Sequence, residues 1–139
     1  MKEKDSDDEE DNPVYKEMFE FTTYKVILVG ESGVGKTCIM NRFVKNVFIN
    51  NTTPSLSSCY EEKIIELEKY NGKKIKFGIW DTVGQEKYRS LPKNFFKNAT
   101  AAIIVYDVTL ESTFEEIKKF WYKNVIDNSP QGINKSLFF

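Results

Sequence analysis

Val26-Ile27-Leu28-Val29 is a continuous apolar run of the kind a strand needs when both of its faces are covered, and it predicts a first strand over residues 24–29. After a glycine-rich break, Ile39, Met40, Phe43, Val44 and Val47 recur at three- and four-residue steps, which predicts a helix with one buried face. The period is then lost. Residues 48–58 include Asn50, Asn51, Thr52, Thr53 and Pro54 and read as a loop, of a length that compact domains usually reserve for function. Ile65 and Leu67 alternate before Asn71-Gly72, and Ile75, Phe77 and Ile79 alternate after it, so an antiparallel hairpin is expected at a sheet edge. A mixed segment of weak helical character runs to Asn98. Ala101-Ala102-Ile103-Ile104-Val105-Tyr106 is a second buried strand, ending at Asp107. Ser112-Thr113-Phe114-Glu115 has the form of a capping box, so a helix should start there, bury Phe114, Ile117 and Trp121 with Phe120 beside them, and break at Asn128-Ser129-Pro130. Residues 136–139 resemble the opening of one more strand. Strands alternating with helices around a single hairpin imply the α/β class: a mostly parallel sheet with one antiparallel edge hairpin, helices on both faces, and ligands at the strand C-terminal edge.

Composition changes this picture at one end only. The 139 residues carry a net charge of −1, with 40% apolar and 29% charged side chains, which suits one soluble domain and proposes no nucleic-acid partner. The charge is unevenly spread: residues 1–20 hold nine acids against three bases, including Asp7-Asp8-Glu9-Glu10-Asp11. Like charges at that density repel too strongly for compact packing, so residues 1–20 are expected to be a disordered acidic leader and residues 21–139 the domain. Cys38 and Cys59 suggest reduced thiols rather than a disulfide framework. No apolar stretch approaches the roughly 18 residues that cross a bilayer, and the acidic start is unlike a signal peptide. A cytoplasmic location is therefore expected.

The glycine-rich break is Gly30-Glu31-Ser32-Gly33-Val34-Gly35-Lys36-Thr37, which fits the spacing G-x-x-x-x-G-K-[ST] throughout. Glycines let the backbone curve tightly so that successive N–H groups face one anion. Lys36 adds a mobile positive charge for the β- and γ-phosphates. The Thr37 hydroxyl is placed for Mg²⁺ at the mouth of a helix whose N-terminal dipole favours negative charge. Magnesium takes hard oxygen ligands, and Asp81, at the end of a strand expected beside the first, can supply a carboxylate. Gly84 allows a backbone N–H to approach the γ-phosphate, and Gln85 can hold an attacking water.

From Tyr24 to Pro130 the sequence resembles the small GTPase superfamily and, within it, the Rab family and its early-endosomal branch. The phosphate loop and Asp81-Thr82-Val83-Gly84-Gln85-Glu86 carry the resemblance, together with Lys76-Phe77-Gly78-Ile79-Trp80, Tyr88-Arg89-Ser90-Leu91, Phe95-Phe96-Lys97-Asn98-Ala99 and Tyr106-Asp107-Val108-Thr109. The resemblance implies a P-loop G domain that binds GTP or GDP with Mg²⁺ and hydrolyses GTP as a monomeric switch in vesicle traffic. It implies a nucleotide site of Glu31, Ser32, Gly33, Val34, Gly35, Lys36, Thr37, Cys38, Ser55, Asp81 and Gly84, with Thr37, Ser55 and Asp81 at the metal and Gln85 and Lys36 in catalysis. Thr53, Ser57 and Ser58 also offer hydroxyls near Ser55. Tyr60, Trp80 and Phe95 fall where Rab proteins read their effectors; the alternative for these three is sheet packing. Exchange factors, GTPase-activating proteins and effectors are the implied partners, and endomembrane attachment would need a lipidated C-terminus.

Two departures stand out. Val83 occupies a position where the family usually has alanine. The guanine-reading Asn-Lys-x-Asp motif is missing, and Asn134-Lys135-Ser136-Leu137 reads as an unrelated loop, because Leu137 cannot accept what an aspartate would from a guanine edge. The domain is thus expected to be C-terminally incomplete and weak in guanine selectivity, with the strand ending at Tyr106 left as an apolar edge. A non-catalytic interaction module and an ATP-using P-loop enzyme are the competing readings. No arginine sits in an obvious finger position, so hydrolysis is expected to depend on a partner's finger for about 10³- to 10⁵-fold.

Overall fold

The computed structural model describes residues 22–48, 59–82 and 91–138. The acidic leader, most of the loop over residues 48–58, and residues 83–90 lie outside them. Strand β1, Thr22–Val29, is the middle of a five-stranded sheet in the order β2-β3-β1-β4-β5, where β2 is Cys59–Leu67, β3 Lys73–Asp81, β4 Ala101–Val105 and β5 Asn134–Phe138. Because β1 runs parallel to both β3 and β4, each of its faces needs cover, and Val26, Ile27, Leu28 and Val29 are all buried. It begins earlier than its apolar run. Thr22 and Thr23 pair with Ile75 and Lys76 through the ladder, with their side chains exposed.

The hairpin is as expected: β2 pairs antiparallel with β3 across a short 3₁₀ turn, Glu68–Tyr70, with Asn71 and Gly72 at positive φ, and β2 forms the sheet edge. Alternation along β1 divides the core. Ile27 and Val29 face a cluster with Phe96, Ala102, Ile104, Ile117, Trp121 and Val125, while Leu28 faces Met40 and Ile79 on the other side.

Helix α1, Lys36–Lys45, covers the Leu28 face. It is shorter than its apolar pattern, because Asn46 adopts the left-handed conformation and its N–H bonds back to Arg42 O at 3.0 Å. Val47 therefore falls beyond the helix, and Phe43 and Val47 are exposed rather than buried. An apolar hollow of about 320 Å³ lies between α1 and the sheet, lined by Val26, Leu28, Met40, Phe43, Phe77 and Ile103, among others.

Helix α2 is a single turn, Lys93–Phe96, which is all the described helix in the segment that ends at Asn98. Helix α3 runs over residues 111–128 in three parts: Glu111–Glu116 and Tyr122–Asn128 are α-helical, and Ile117–Trp121 between them is a π turn. The capping-box expectation is corrected here. The helix starts at Glu111, one residue ahead of Ser112, and no side chain caps it at Leu110. Thr113 is the organising hydroxyl instead: it donates to Leu110 O at 2.8 Å and accepts from Asp107 N–H at 3.0 Å, tying the end of β4 to the first helical turn. The buried stripe is Thr113, Ile117, Trp121 and Val125, with Phe114 half-buried against Tyr106.

Two expectations about the last strand are also corrected. The strand expected to open at Ser136 is present but begins two residues earlier: residues 134–138 form a strand, so Asn134 to Leu137 is not a loop, and Val105 lies opposite Phe138. Strand β4 ends at Val105 and has β5 as its outer neighbour, so it is not an apolar edge. The polar Asn134 and Lys135 conceal where the strand begins, and parallel pairing with β4 supplies the backbone partners that the pattern does not.

Candidate functional site

The phosphate loop leaves β1 at Gly30 and enters α1 at Lys36. Gly30 lies flush against β4: a Cβ there would meet Val105 O at 2.1 Å, and its φ of +142° is itself poorly tolerated by other residues. At the other end Gly35 is the helix N-cap with φ +94°, and its carbonyl accepts from Ile39 N–H at 2.9 Å. The first turn of α1 carries no acidic side chain, so nothing in it opposes the helix dipole's preference for an anion.

Lys36 is only 6% exposed, and its ammonium donates to Gly30 O at 2.9 Å and Glu31 O at 2.8 Å. The lysine thus closes the loop on itself and holds its charge against the loop's own carbonyls. Register does the rest. Leu28 of β1 lies beside Asp81 of β3, so the end of β3 arrives next to the loop's takeoff point. Thr37 Oγ1 donates to Asp81 Oδ2 at 2.5 Å, and Asp81 is 1% exposed. Residues 44 positions apart in sequence are thereby joined in one polar centre.

The donor set fits a magnesium ion. With its proton committed to Asp81, the Thr37 oxygen keeps a lone pair for a hard cation, and a buried carboxylate beside it supplies the negative charge. Among the described residues no group of three His, Cys, Asp or Glu side chains gathers to hold a metal. An ion here would draw its other oxygens from phosphate and water, as magnesium at nucleotide sites does.

Of the residues expected at the nucleotide, Glu31, Ser32, Gly33, Val34, Gly35, Lys36, Thr37 and Cys38 form one continuous loop and first helical turn, and Asp81 joins them. Ser55, Gly84 and Gln85 lie outside the described residues, as does Val83. Tyr60, Trp80 and Phe95 come together on the other side of β3's end. The Tyr60 and Trp80 rings are 4.9 Å apart, and Lys25 Nζ sits 4.9 Å from the Trp80 ring and 6.0 Å from that of Phe95. Tyr60 and Trp80 are 45% and 36% exposed, so both show rings to solvent as well as packing on the sheet. The Tyr60 ring lies over Gly78, where an added Cβ would be 3.0 Å from its hydroxyl oxygen.

Lys25 was not singled out by the sequence reading, although a lysine inside the half-buried start of β1 is a signal of its own. It donates to Lys97 O at 2.8 Å, anchoring the end of α2 beneath the rings, and burial lowers its pKa from the ordinary lysine value. Tyr60 Oη donates to Glu62, and that bond raises the tyrosine's pKa while holding the Glu62 carboxyl below its usual range, with Lys76 adding to the second effect.

Just past β4, Asp107 Oδ1 accepts from the Thr109 hydroxyl at 2.7 Å and the Thr109 N–H at 2.8 Å, which holds its carboxyl below the ordinary range. A depressed carboxylate keeps its contribution above the unfolded pKa, about 4, and loses it as pH falls through the lower folded value. The Thr109 amide resonance should therefore titrate with a midpoint below about 4. A midpoint at or above that value would show the turn is not held by the ionised group.

A family model described as the Ras family matches residues 25–138. The chain belongs to the Ras family. Its relatives are Rab proteins: Ras-related protein Rab-13 of Canis lupus familiaris is 36% identical over 114 residues, covering 82% of this chain and 54% of its own length. Ras-related protein Rab-15 of Homo sapiens is 35% identical, covering 82% and 52%, and Ras-related protein RABE1d of Arabidopsis thaliana is 37% identical, covering 81% and 50%. The chain spans about half the length of the curated relatives it matches. In this Ras-family domain, the sheet order and the meeting of phosphate loop and β3 are the features that build the site.

Proposed function

We propose that this chain is the phosphate-binding part of a Rab-type GTPase: it holds GTP or GDP with Mg²⁺, hydrolyses GTP, and presents a surface to vesicle-traffic partners on endomembranes, including the early endosome. The observation that carries this reading is the Thr37–Asp81 hydrogen bond, which makes one centre of the loop and the end of β3.

The roles follow from the chemistry of each group. Glu31 to Cys38 wrap the phosphates with backbone N–H groups, and Lys36, already desolvated, reaches phosphate oxygens from its seat on the loop carbonyls with little reorganisation. Thr37 and Asp81 would hold the cation, with Ser55 of the first switch segment completing the set. A bound magnesium would neutralise phosphate charge as the bond to the leaving group weakens. Gln85 orients the attacking water, while Gly84 lets a backbone N–H come close to the γ-phosphate. Exchange factors, GTPase-activating proteins and effectors are the partner classes, and the half-exposed Tyr60, Trp80 and Phe95 cluster is the surface we assign to effectors, since aromatic anchors bury large area with little rotamer entropy.

Binding of a fluorescent GDP to the purified chain tests this directly. Saturable binding that needs Mg²⁺ is expected, with Trp80→Ala leaving the nucleotide affinity within about twofold, because Trp80 lies on the partner surface, outside the phosphate loop. No saturable binding of GDP at micromolar protein would overturn the reading.

A further inference from the structure

Helix α3 changes pitch in its middle. In an unbroken α-helix each four-residue step turns a row of side chains by about 40°, so the i, i+4 row Thr113, Ile117, Trp121, Val125 would swing about 120° away from the sheet. All four are nevertheless buried. The π turn over Ile117–Trp121 reconciles the two: the Tyr122 N–H bonds to Ile117 O, five residues back, and the wider turn keeps the row facing one way. What the wide turn delivers is Trp121, fully buried, with its indole Nε1–H donating to Glu31 Oε1 at 2.9 Å across 90 residues of sequence.

Glu31 is the second residue of the phosphate loop, and the structure holds it at two points. Its side chain accepts a hydrogen bond from the Trp121 indole N–H, and its carbonyl accepts one from the Lys36 ammonium. Gly30, before it, is seated against the Val105 carbonyl of β4. We propose that Trp121 is a positioning residue for the nucleotide site: through Glu31 its indole fixes the entry of the phosphate loop, and with it the seat of the Lys36 ammonium, so that helix α3 sets how firmly nucleotide is retained. A ring in the core needs only apolar neighbours, and Trp121 has them in Ile27, Val29, Phe96 and Val125. Its N–H is the part that packing does not require, and it is aimed at the loop.

The proposal rests on the nucleotide reading above for its kinetic readout, and a second readout is independent of it. In the whole chain loaded with fluorescent GDP and Mg²⁺, Trp121→Phe keeps the aromatic bulk and removes the donor, while Glu31→Ala removes the acceptor. Each should speed GDP release about tenfold, the size of one lost hydrogen bond to a charged group, and the double variant should release no faster than either single one. Release unchanged in Trp121→Phe, or multiplied in the double variant, overturns the proposal and shows the tryptophan to be core packing alone. The chain has two tryptophans, so ¹⁵N labelling gives two indole signals to assign. In the unmodified protein the Trp121 indole proton should exchange slowly with solvent, and in Glu31→Ala its resonance should move and its exchange quicken. An indole signal indifferent to Glu31→Ala also overturns the proposal, even if Trp121→Phe does not fold. If the wild-type chain takes no GDP, the nucleotide reading fails while the indole measurement still decides whether the loop is pinned.

Discussion

Lys36→Ala should lower affinity for GDP by about 10²- to 10⁴-fold, the equivalent of losing two charge-assisted hydrogen bonds of roughly 1.5–3 kcal/mol each. The size follows from where the ammonium lies. It is almost completely buried in the free protein, so its desolvation has been met by folding and not by nucleotide binding. Two of its partners are carbonyls of the loop itself, so removing it also takes their donor from Gly30 O and Glu31 O and loosens the loop. Isothermal titration with GDP and Mg²⁺ measures the effect. Less than a tenfold loss would mean that the loop binds phosphate through its backbone alone.

Gly30→Ala is expected to destabilise the fold by at least about 3 kcal/mol, because a methyl placed 2.1 Å from the Val105 carbonyl oxygen forces the loop away from β4. The neighbouring glycines isolate the cause. Gly33 and Gly35 also have positive φ, but a Cβ at either meets nothing within 4 Å, so their alanine variants bear only a backbone penalty of about 1–2 kcal/mol. Urea denaturation of the three variants separates collision from strain. A Gly30→Ala midpoint equal to that of Gly33→Ala would show that the seat on β4 is not structural.

Much of the site was readable because its parts are local. The phosphate loop is a contiguous spacing, and the strand before it and helix after it follow from runs and periods in the immediate sequence. Asp81 could be paired with Thr37 only through a guess about sheet order, and the register that places Leu28 beside Asp81 is a property of three-dimensional packing. The aromatic cluster was visible as three residues, but Lys25, which sits beneath Trp80 and Phe95, came from a strand whose apolar run drew attention away from its one charge.

What was misread has a common physical origin: elements decided by tertiary partners rather than by their own pattern. Ser112 offered a good local cap, yet Thr113 won because its hydroxyl reaches the end of β4 and the first turn together. The apolar residues Phe114, Ile117, Phe120 and Trp121 fit an ordinary helical stripe, and nothing in that period announces the π turn that brings the Trp121 indole to Glu31. Asn134 and Lys135 look like a loop until β4 is there to pair with them. Val47 continues the period of α1 past the point where Asn46 ends the helix.

The central claim is that the loop around Lys36 and the end of β3 hold one metal-bound nucleotide, and chelation tests it most directly. GDP release from the loaded chain should accelerate at least about 100-fold when EDTA removes Mg²⁺, since a cation held by phosphate and by the Thr37 and Asp81 oxygens would contribute on the order of 3 kcal/mol. Asp81→Asn should release GDP quickly with or without EDTA. A release rate that ignores chelation in the wild-type chain, or an Asp81→Asn variant as sensitive to EDTA as wild type, would contradict the account.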